Sequence, residues 1–285
     1  MKLKAIQQKF SECLNVHYGN DEIDELFWMC AEEVLNFSRL QIKLKRVDDL
    51  SLEEEFKFNR ILDELIAGKP IQYILGYAWF FNQKFTVNES VLIPRPETEE
   101  LVALILDENK EENLRVLDIG TGSGCIPISL KIHLPIGSEV FGVDISDGAL
   151  KVANNNASKL SYTVNFQKVD ILEKEPSIVK GDEKFNIIVS NPPYITPKEK
   201  LAMHKNVLDF EPHLALFVEE KDPLIFYNAI ADYAKKNLVS DGKLYFEINQ
   251  AYGTAIVDML ERKGFHQVKL KKDLSGLDRM VKATL

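Results

Sequence analysis

Apolar residues recur every three or four positions over the first 70 or so residues of the chain. Ile23, Leu26 and Phe27 continue into Cys30, Val34 and Phe37, one stripe along a helix. A second stripe, Phe56, Ile61, Leu62, Leu65 and Ile66, follows Ser51-Leu52-Glu53-Glu54, which has the spacing of a capping box, and stops at Gly68-Lys69-Pro70. These patterns predict a small all-helical domain over residues 1–72, with Met29 and Cys30 as core filler. From Tyr73 to Val91 the composition turns aromatic and strand-favouring, with Tyr77, Trp79, Phe80, Phe81, Phe85 and Val87 and a turn expected at Asn82-Gln83-Lys84. A hairpin linking two domains is expected over 73–95, packed against its neighbour.

Beyond Pro96 the period alternates. A helix from about Glu97 to Glu108 precedes the strand Arg115–Ile119, and a second helix starts near Gly124. Then come the strand Val140–Asp144, a helix through Leu150 and Ala153, and the strands Val164–Val169 and Phe185–Val189. A helix over about Leu224–Lys236, the strand Lys243–Ile248, a helix around Ile256–Arg262 and two closing strands at Gln267–Leu270 and Arg279–Ala283 complete the series. Near-continuous apolar strands alternating with helices predict an α/β domain over 96–285, a doubly wound and mostly parallel sheet covered on both faces. The last two strands have no helix between them, so one antiparallel member is expected.

Composition narrows the classes. The 285 residues are 45% hydrophobic and 28% charged, the profile of a folded globular chain rather than a disordered or fibrous one. Lys plus Arg number 35 against 44 Asp plus Glu, a net charge of -9, which is a poor footprint for gripping a phosphate backbone. No apolar stretch approaches the roughly 20 residues that span a bilayer, and Met1-Lys2-Leu3-Lys4 runs into Gln7, Gln8 and Lys9 rather than an apolar signal core. A cytoplasmic location with no membrane partner is expected. Cys13, Cys30 and Cys125 form no Cys-x-x-Cys pair, and His17, His133, His204, His213 and His266 show no ligand spacing, so neither a disulfide framework nor a metal site is indicated.

The candidate chemistry sits at strand ends. Asp118-Ile119-Gly120-Thr121-Gly122-Ser123-Gly124 is a glycine-rich turn from strand to helix, where a ligand can approach the backbone and meet helix N–H groups. A dinucleotide fingerprint starting at Gly120 would need glycine at position 125, where Cys125 stands. With its carboxylate at the strand end, the turn suits a ligand whose nearest group is cationic, such as the ammonium and sulfonium of S-adenosylmethionine. Asp144, closing the next strand, is placed to accept from two ribose hydroxyls, and Asp170 from an exocyclic adenine amine. A lone Asp at a strand end is often only a helix cap; three in succession behind a glycine turn favour a nucleoside site.

Asn191-Pro192-Pro193-Tyr194 is sharper still. Two prolines fix φ and remove N–H donors, leaving backbone carbonyls as acceptors. Asn adds a side-chain carbonyl and Tyr a flat π face, which together suit a planar NH2 group: two acceptors for its hydrogens and a ring for its plane. Of the two motifs, this one has the fewer structural explanations.

The pair of motifs, Asp118 to Gly124 with Asn191 to Tyr194, resembles the class I S-adenosylmethionine-dependent methyltransferases that act on amino groups of conjugated planar systems. Within that set, Gln72-Tyr73-Ile74-Leu75-Gly76, Leu92-Ile93-Pro94-Arg95-Pro96-Glu97-Thr98-Glu99, Glu211-Pro212 and Asp273-Leu274-Ser275-Gly276-Leu277-Asp278-Arg279 resemble the release factor glutamine methyltransferases (the PrmC/HemK family), over nearly the whole chain. The resemblance implies a Rossmann-like methyltransferase fold in which Gly120, Thr121, Gly122, Ser123, Gly124, Asp144, Asp170 and the Asn191 backbone contact S-adenosylmethionine. It also implies that Asn191, Pro192, Pro193 and Tyr194 hold the acceptor glutamine, in the Gly-Gly-Gln loop of class I peptide chain release factors. Asn249 stands where the family usually carries glycine, which leaves the local turn open, and Ile171 where an aromatic residue is often found. Arg95 and Glu97 either orient substrate or join the domains. No metal, no direct nucleic-acid partner and a monomer are expected. An adenine-N6 DNA or RNA methyltransferase with the same clamp is the alternative, opposed by the charge count. A non-catalytic binding module would have lost Asp118 and Asp144, both present here.

Overall fold

The computed structural model describes residues 1–45, 49–173, 178 and 183–285, and its contacts divide them into two compact units. One is Met1–Gly76 with His204–Phe210; the other is Tyr77–Met203 with Glu211–Leu285.

The first unit holds α1 (Leu3–Leu14), α2 (Asn20–Leu35), α3 (Arg39–Lys45), α4 (Leu52–Ile66) and α5 (Ile71–Leu75). The capping box opens α4 as its spacing predicts: Glu54 N–H donates to Ser51 Oγ at 3.2 Å and Ser51 N–H to Glu54 Oε2 at 2.7 Å. The stripes meet in a core of Ile6, Phe10, Phe27, Cys30, Phe58 and Leu62, where the Phe10 ring stands edge-on to Phe27 with centroids 5.6 Å apart. Helix α5 carries this unit past position 72. It ends at Gly76, whose φ of 79° lies in the left-handed region and whose N–H donates to Gln72 O.

The hairpin is β1 (Tyr77–Phe80) and β2 (Gln83–Thr86), and it groups with the second unit rather than standing as a separate linker over 73–95. Its turn falls one residue earlier than the sequence suggests. Phe80 pairs with Gln83 and Trp79 with Lys84, so the two central residues are Phe81 and Asn82, at φ 48° and 60°. Two positive φ values mark a turn whose twist matches the strands. Asn tolerates this and Phe does not, but Phe81 is anchored: its N–H donates to Glu99 Oε1 at 2.9 Å and its ring meets His133 edge-on at 5.0 Å.

The rest of the second unit alternates as predicted. It comprises α6 (Pro96–Glu108), β3 (Arg115–Ile119), α7 (Cys125–His133), β4 (Glu139–Asp144), α8 (Asp147–Leu160), β5 (Asn165–Lys168) and β6 (Phe185–Ser190) and, after α9 (Lys205–Phe210), which belongs to the helical unit, α10 (His213–Leu216). There follow α11 (Ile225–Asn237), β7 (Leu238–Glu247), α12 (Gly253–Arg262), β8 (His266–Lys272) and β9 (Asp278–Thr284). The sheet order is β5-β4-β3-β6-β7-β9-β8. Only β9 runs against its neighbours, pairing antiparallel with both β7 and β8.

Both faces are covered, as expected for apolar strands without alternation. Leu117, Ile119, Ile188, Leu244 and Phe246 face the core shared with α11 and α12; Val116, Ile187, Val189 and Tyr245 face the core shared with α6 and α7. The order reverses at β3, which has β4 on one side and β6 on the other, and such a switch point leaves a crevice at the carboxyl ends of the strands.

Candidate active site

A cavity of about 240 Å3 opens at that crevice, walled by the glycine turn after β3, the ends of β4 and β6, the segment after β5 and residues of the 90–98 stretch. Gly120, Thr121, Gly122 and Ser123 line it, with Asp144, Asp170, Asn191, Pro192 and Pro193.

The glycine turn is held from below. The N–H groups of Gly120 and Thr121 both donate to Val143 O at 2.9 Å, which fixes the turn to the end of β4. Gly124 stands just behind the cavity wall; its φ is 79°, and a Cβ there would lie 3.0 Å from Ile128 Cδ1 and 3.1 Å from Ala153 Cβ, so only glycine lets α7 start this close to α8.

Three carboxylates serve this half differently. Asp144 is already half engaged: Oδ2 accepts from Gly122 N–H and Oδ1 from Ser146 N–H, each at 2.9 Å. Each oxygen keeps a further lone pair for a ligand hydroxyl. Burial raises its pKa, opposed by those backbone donors. Asp170 Oδ1 caps Leu172 N–H at 2.9 Å. Asp118 lies beneath the turn, fully buried, and among the described residues neither of its oxygens makes a hydrogen bond. The Thr121 hydroxyl is close enough to lower the Asp118 pKa but lacks bonding geometry. Burial, with the Asp144 charge adding, pushes Asp118 up to about 7. A buried carboxyl without a donor favours a cation nearby. The donor set therefore fits a nucleoside carrying positive charge, with apolar Ile145, Ile171 and Ile230 walls for its base.

Beside the glycine turn, Ser190 ends β6 and donates through its hydroxyl to Ile119 O at 2.6 Å, locking the ends of β6 and β3 together. Asn191 follows directly, with its Nδ2 donating to Thr98 Oγ1 at 3.3 Å. Tyr194 stands apart from the other three residues of the motif. It is not among the cavity-lining residues; its ring packs against the α11/α12 core and its hydroxyl donates to Glu247 Oε1 at 3.3 Å.

Glu247 is the residue that sequence reasoning missed. It closes β7, is 2% exposed, and accepts from the Thr98 hydroxyl at 2.6 Å on Oε2. Burial raises its pKa to about 7 against the pull of Thr98 and Arg279. Its signal was a carboxylate closing an apolar strand, Leu244-Tyr245-Phe246-Glu247, the same feature that singled out Asp118 and Asp144. Asn249 has a definite place: its Oδ1 caps Ala251 N–H at 3.0 Å and its Nδ2 donates to Glu199 Oε1 at 2.7 Å and to Tyr194 O at 3.4 Å. Arg95 makes an ion pair with buried Glu211, whose second oxygen accepts from Ile93 N–H at 3.2 Å, so it ties two segments of its own unit together.

A family model described as the PrmC N-terminal domain matches residues 5–76, and one described as a methyltransferase domain matches 110–248. The chain is 45% identical over 289 aligned positions to the release factor glutamine methyltransferase of Flavobacterium psychrophilum, covering 99% of both, and 40% identical to that of Streptococcus pneumoniae, covering 99% of this chain and 98% of the relative. The chain belongs to the release factor glutamine methyltransferase family. A solved methyltransferase from Pyrococcus furiosus superposes with a TM-score of 0.51 at 16% identity, covering 72% of this chain and 89% of that one, which speaks to the shared fold alone. Residues of both motifs, Gly120 to Ser123 and Asn191 to Pro193, line the one cavity.

Proposed function

We propose that the protein transfers a methyl group from S-adenosylmethionine to the side-chain amide nitrogen, N5, of the glutamine in the Gly-Gly-Gln motif of class I peptide chain release factors. The observation that carries this reading is the cavity itself, lined both by carboxylates suited to a cationic nucleoside and by a fixed carboxamide with two prolines.

When bound, S-adenosylmethionine supplies an electrophilic methyl group. Asp144 would accept from the ribose hydroxyls with its remaining lone pairs, Asp170 would receive the adenine amine, and Asp118 would favour the positive charge near the glycine turn. An amide nitrogen is a weak nucleophile because its lone pair is delocalised into the carbonyl. The Asn191 side-chain oxygen and the backbone carbonyls of the Asn191-Pro192 segment would accept its two N–H bonds, concentrating density on nitrogen and orienting it. Proton loss follows alkylation and needs no strong base.

The adenine-N6 reading gains nothing from the lysines near the end of the chain, Lys263, Lys271 and Lys272. Lys263 is paired with Asp232, Lys272 with Asp278, and Lys271 lies 3.7 Å from Glu108. Among the described residues no helix is long and apolar enough to cross a membrane. A monomer acting on a protein substrate, in the cytoplasm, is the arrangement we infer. Labelled S-adenosylmethionine, offered with a purified release factor, with the same factor bearing Gln→Asn in the motif, and with duplex or single-stranded DNA, tests it. Label is expected on the unaltered factor alone; transfer to DNA in its place would overturn the reading.

A further inference from the structure

Behind Asn191 runs a chain of side chains that the clamp chemistry does not by itself require. Asn191 Nδ2 donates to Thr98 Oγ1, Thr98 O–H donates to Glu247 Oε2, and Tyr194 O–H donates to Glu247 Oε1. Thr98 and Glu247 are 3% and 2% exposed, so water does not substitute for these partners. A hydroxyl has one hydrogen to give. With Thr98 spending it on Glu247, its oxygen can only accept from Asn191, so the NH2 end of the Asn191 amide points inward and Oδ1 is the end left for a ligand. The direction of each bond is dictated by the acid at the end of the chain.

Adding a proton to Glu247 reverses that direction. On Oε1 it would displace the Tyr194 hydrogen, which has no other acceptor among the described contacts. On Oε2 it donates to Thr98, whose own hydrogen then needs an acceptor, and Asn191 Oδ1 becomes one once the amide turns over. The hydrogens of Glu247, Thr98 and Tyr194 are then all bonded, with Asn191 presenting Nδ2 to the cavity and no acceptor for an incoming N–H.

We propose that Thr98 and Glu247 are positioning residues that set the orientation of the Asn191 carboxamide, so that its oxygen faces the acceptor amide only while Glu247 is ionised. The inference rests on the reading of Asn191 as the amide clamp. The groups facing Glu247 come from every neighbouring element: Glu97 beside Thr98 on α6, Cys125 on α7, Tyr194 after β6, Tyr227 on α11, whose hydroxyl donates to the Glu247 backbone carbonyl at 3.2 Å, and Arg279 on β9. Burial outweighs Arg279, already paired with Asp273 at 3.0 Å, and holds Glu247 near pH 7, where the switch would be felt.

The test follows two readouts across pH 5.5–8.5 or so in the full chain: single-turnover methylation of a release factor at saturating S-adenosylmethionine, and the 15N resonance of the Asn191 side-chain amide. In the wild type both are expected to change together, the rate falling about tenfold per pH unit below the midpoint. Glu247→Gln should abolish that limb and the amide titration. Thr98→Val, which keeps the shape and Glu247 but cuts the chain, should lower kcat with KM little moved and should also silence the amide titration; Thr98→Ser should bring it back. A Thr98→Val enzyme with wild-type kcat and the same acidic limb would overturn the proposal, as would an Asn191 amide that ignores Glu247→Gln. The two readings separate cleanly: amide titration without any methylation of a release factor defeats the proposed substrate and leaves the chain standing, while methylation without coupled titration does the reverse.

Discussion

The two walls of the cavity are built by opposite means. The cofactor wall is main-chain architecture: a glycine turn fixed by two N–H groups on Val143 O, and Asp144 held by backbone donors at positions 122 and 146. The acceptor wall is side-chain architecture, in which Asn191 and Tyr194 of one motif, Thr98 and Glu247 come from three separate places in the chain. Backbone contacts tolerate a wide choice of neighbours, whereas a chain of hydroxyl, carboxyl and amide fails when any link is lost. Substitutions on the first wall should therefore change affinity, and those on the second should change rate.

The largest separation is expected from Asn191→Ala. It leaves an acceptor N–H unpaired in a closed site, the kind of loss that costs about 10²–10³ in kcat when a preorganised partner is removed. S-adenosylmethionine affinity should move little, and single-turnover rates beside calorimetry would show it. Near-normal turnover would mean that the backbone carbonyls alone hold the amide.

Asp144→Ala is the converse on the first wall. Losing charged hydrogen bonds to the ribose should weaken cofactor binding by about 1.5–3 kcal/mol, with kcat at saturation less affected. Unchanged affinity by calorimetry would remove Asp144 from the site and break the contrast between the walls.

This asymmetry also governs what the sequence makes legible. The glycine turn, Asp144 and Asp170 are local: spacing within one strand-turn-helix unit places them, and the alternating pattern places the strands. The same holds for the helical unit, where stripe and capping box were enough to foresee α2 and α4. Glu247 and Thr98 lie 149 positions apart, and nothing in either neighbourhood says that they touch. Tyr194 shows the same limit, since its motif suggests a ring over the substrate plane while its hydroxyl is drawn to Glu247. The turn at Phe81-Asn82 escaped because strand pairing and the Glu99 and His133 contacts override the poor tolerance of phenylalanine for positive φ.

Tyr194→Phe is expected to have a smaller effect. Its ring, packed on the α11/α12 core, is preserved, and only the long hydroxyl contact to Glu247 is lost, about 0.5–1.5 kcal/mol in stability or rate. Burial, with the Glu247 charge, pushes the phenol above its ordinary pKa, so it stays a donor at neutral pH. Tyr194→Ala, which also removes the ring, should be much worse. Equal damage from both would assign the tyrosine function to its hydroxyl and give it a more direct part on the acceptor wall.

The smallest expected effect is that of Asn249→Gly, which puts in the glycine that the family resemblance leads one to expect there. Two consequences pull in opposite directions. Glycine serves almost as well as asparagine where a chain enters a helix, so losing the cap on Ala251 N–H should cost only a few tenths of a kcal/mol. The amide also bridges Glu199 at 2.7 Å to the backbone of Tyr194 at 3.4 Å, and losing that tie should bring the total to about 1 kcal/mol of stability. Glu199 keeps its own partners, Thr196 N–H and Oγ1, both at 2.8 Å, so it is not stranded. Denaturant unfolding should thus register a modest loss while kcat follows only the folded fraction. A fall in kcat well beyond that fraction would mean that the Tyr194 backbone is set through Asn249, and that the acceptor wall reaches one residue further than the chain from Asn191 to Glu247.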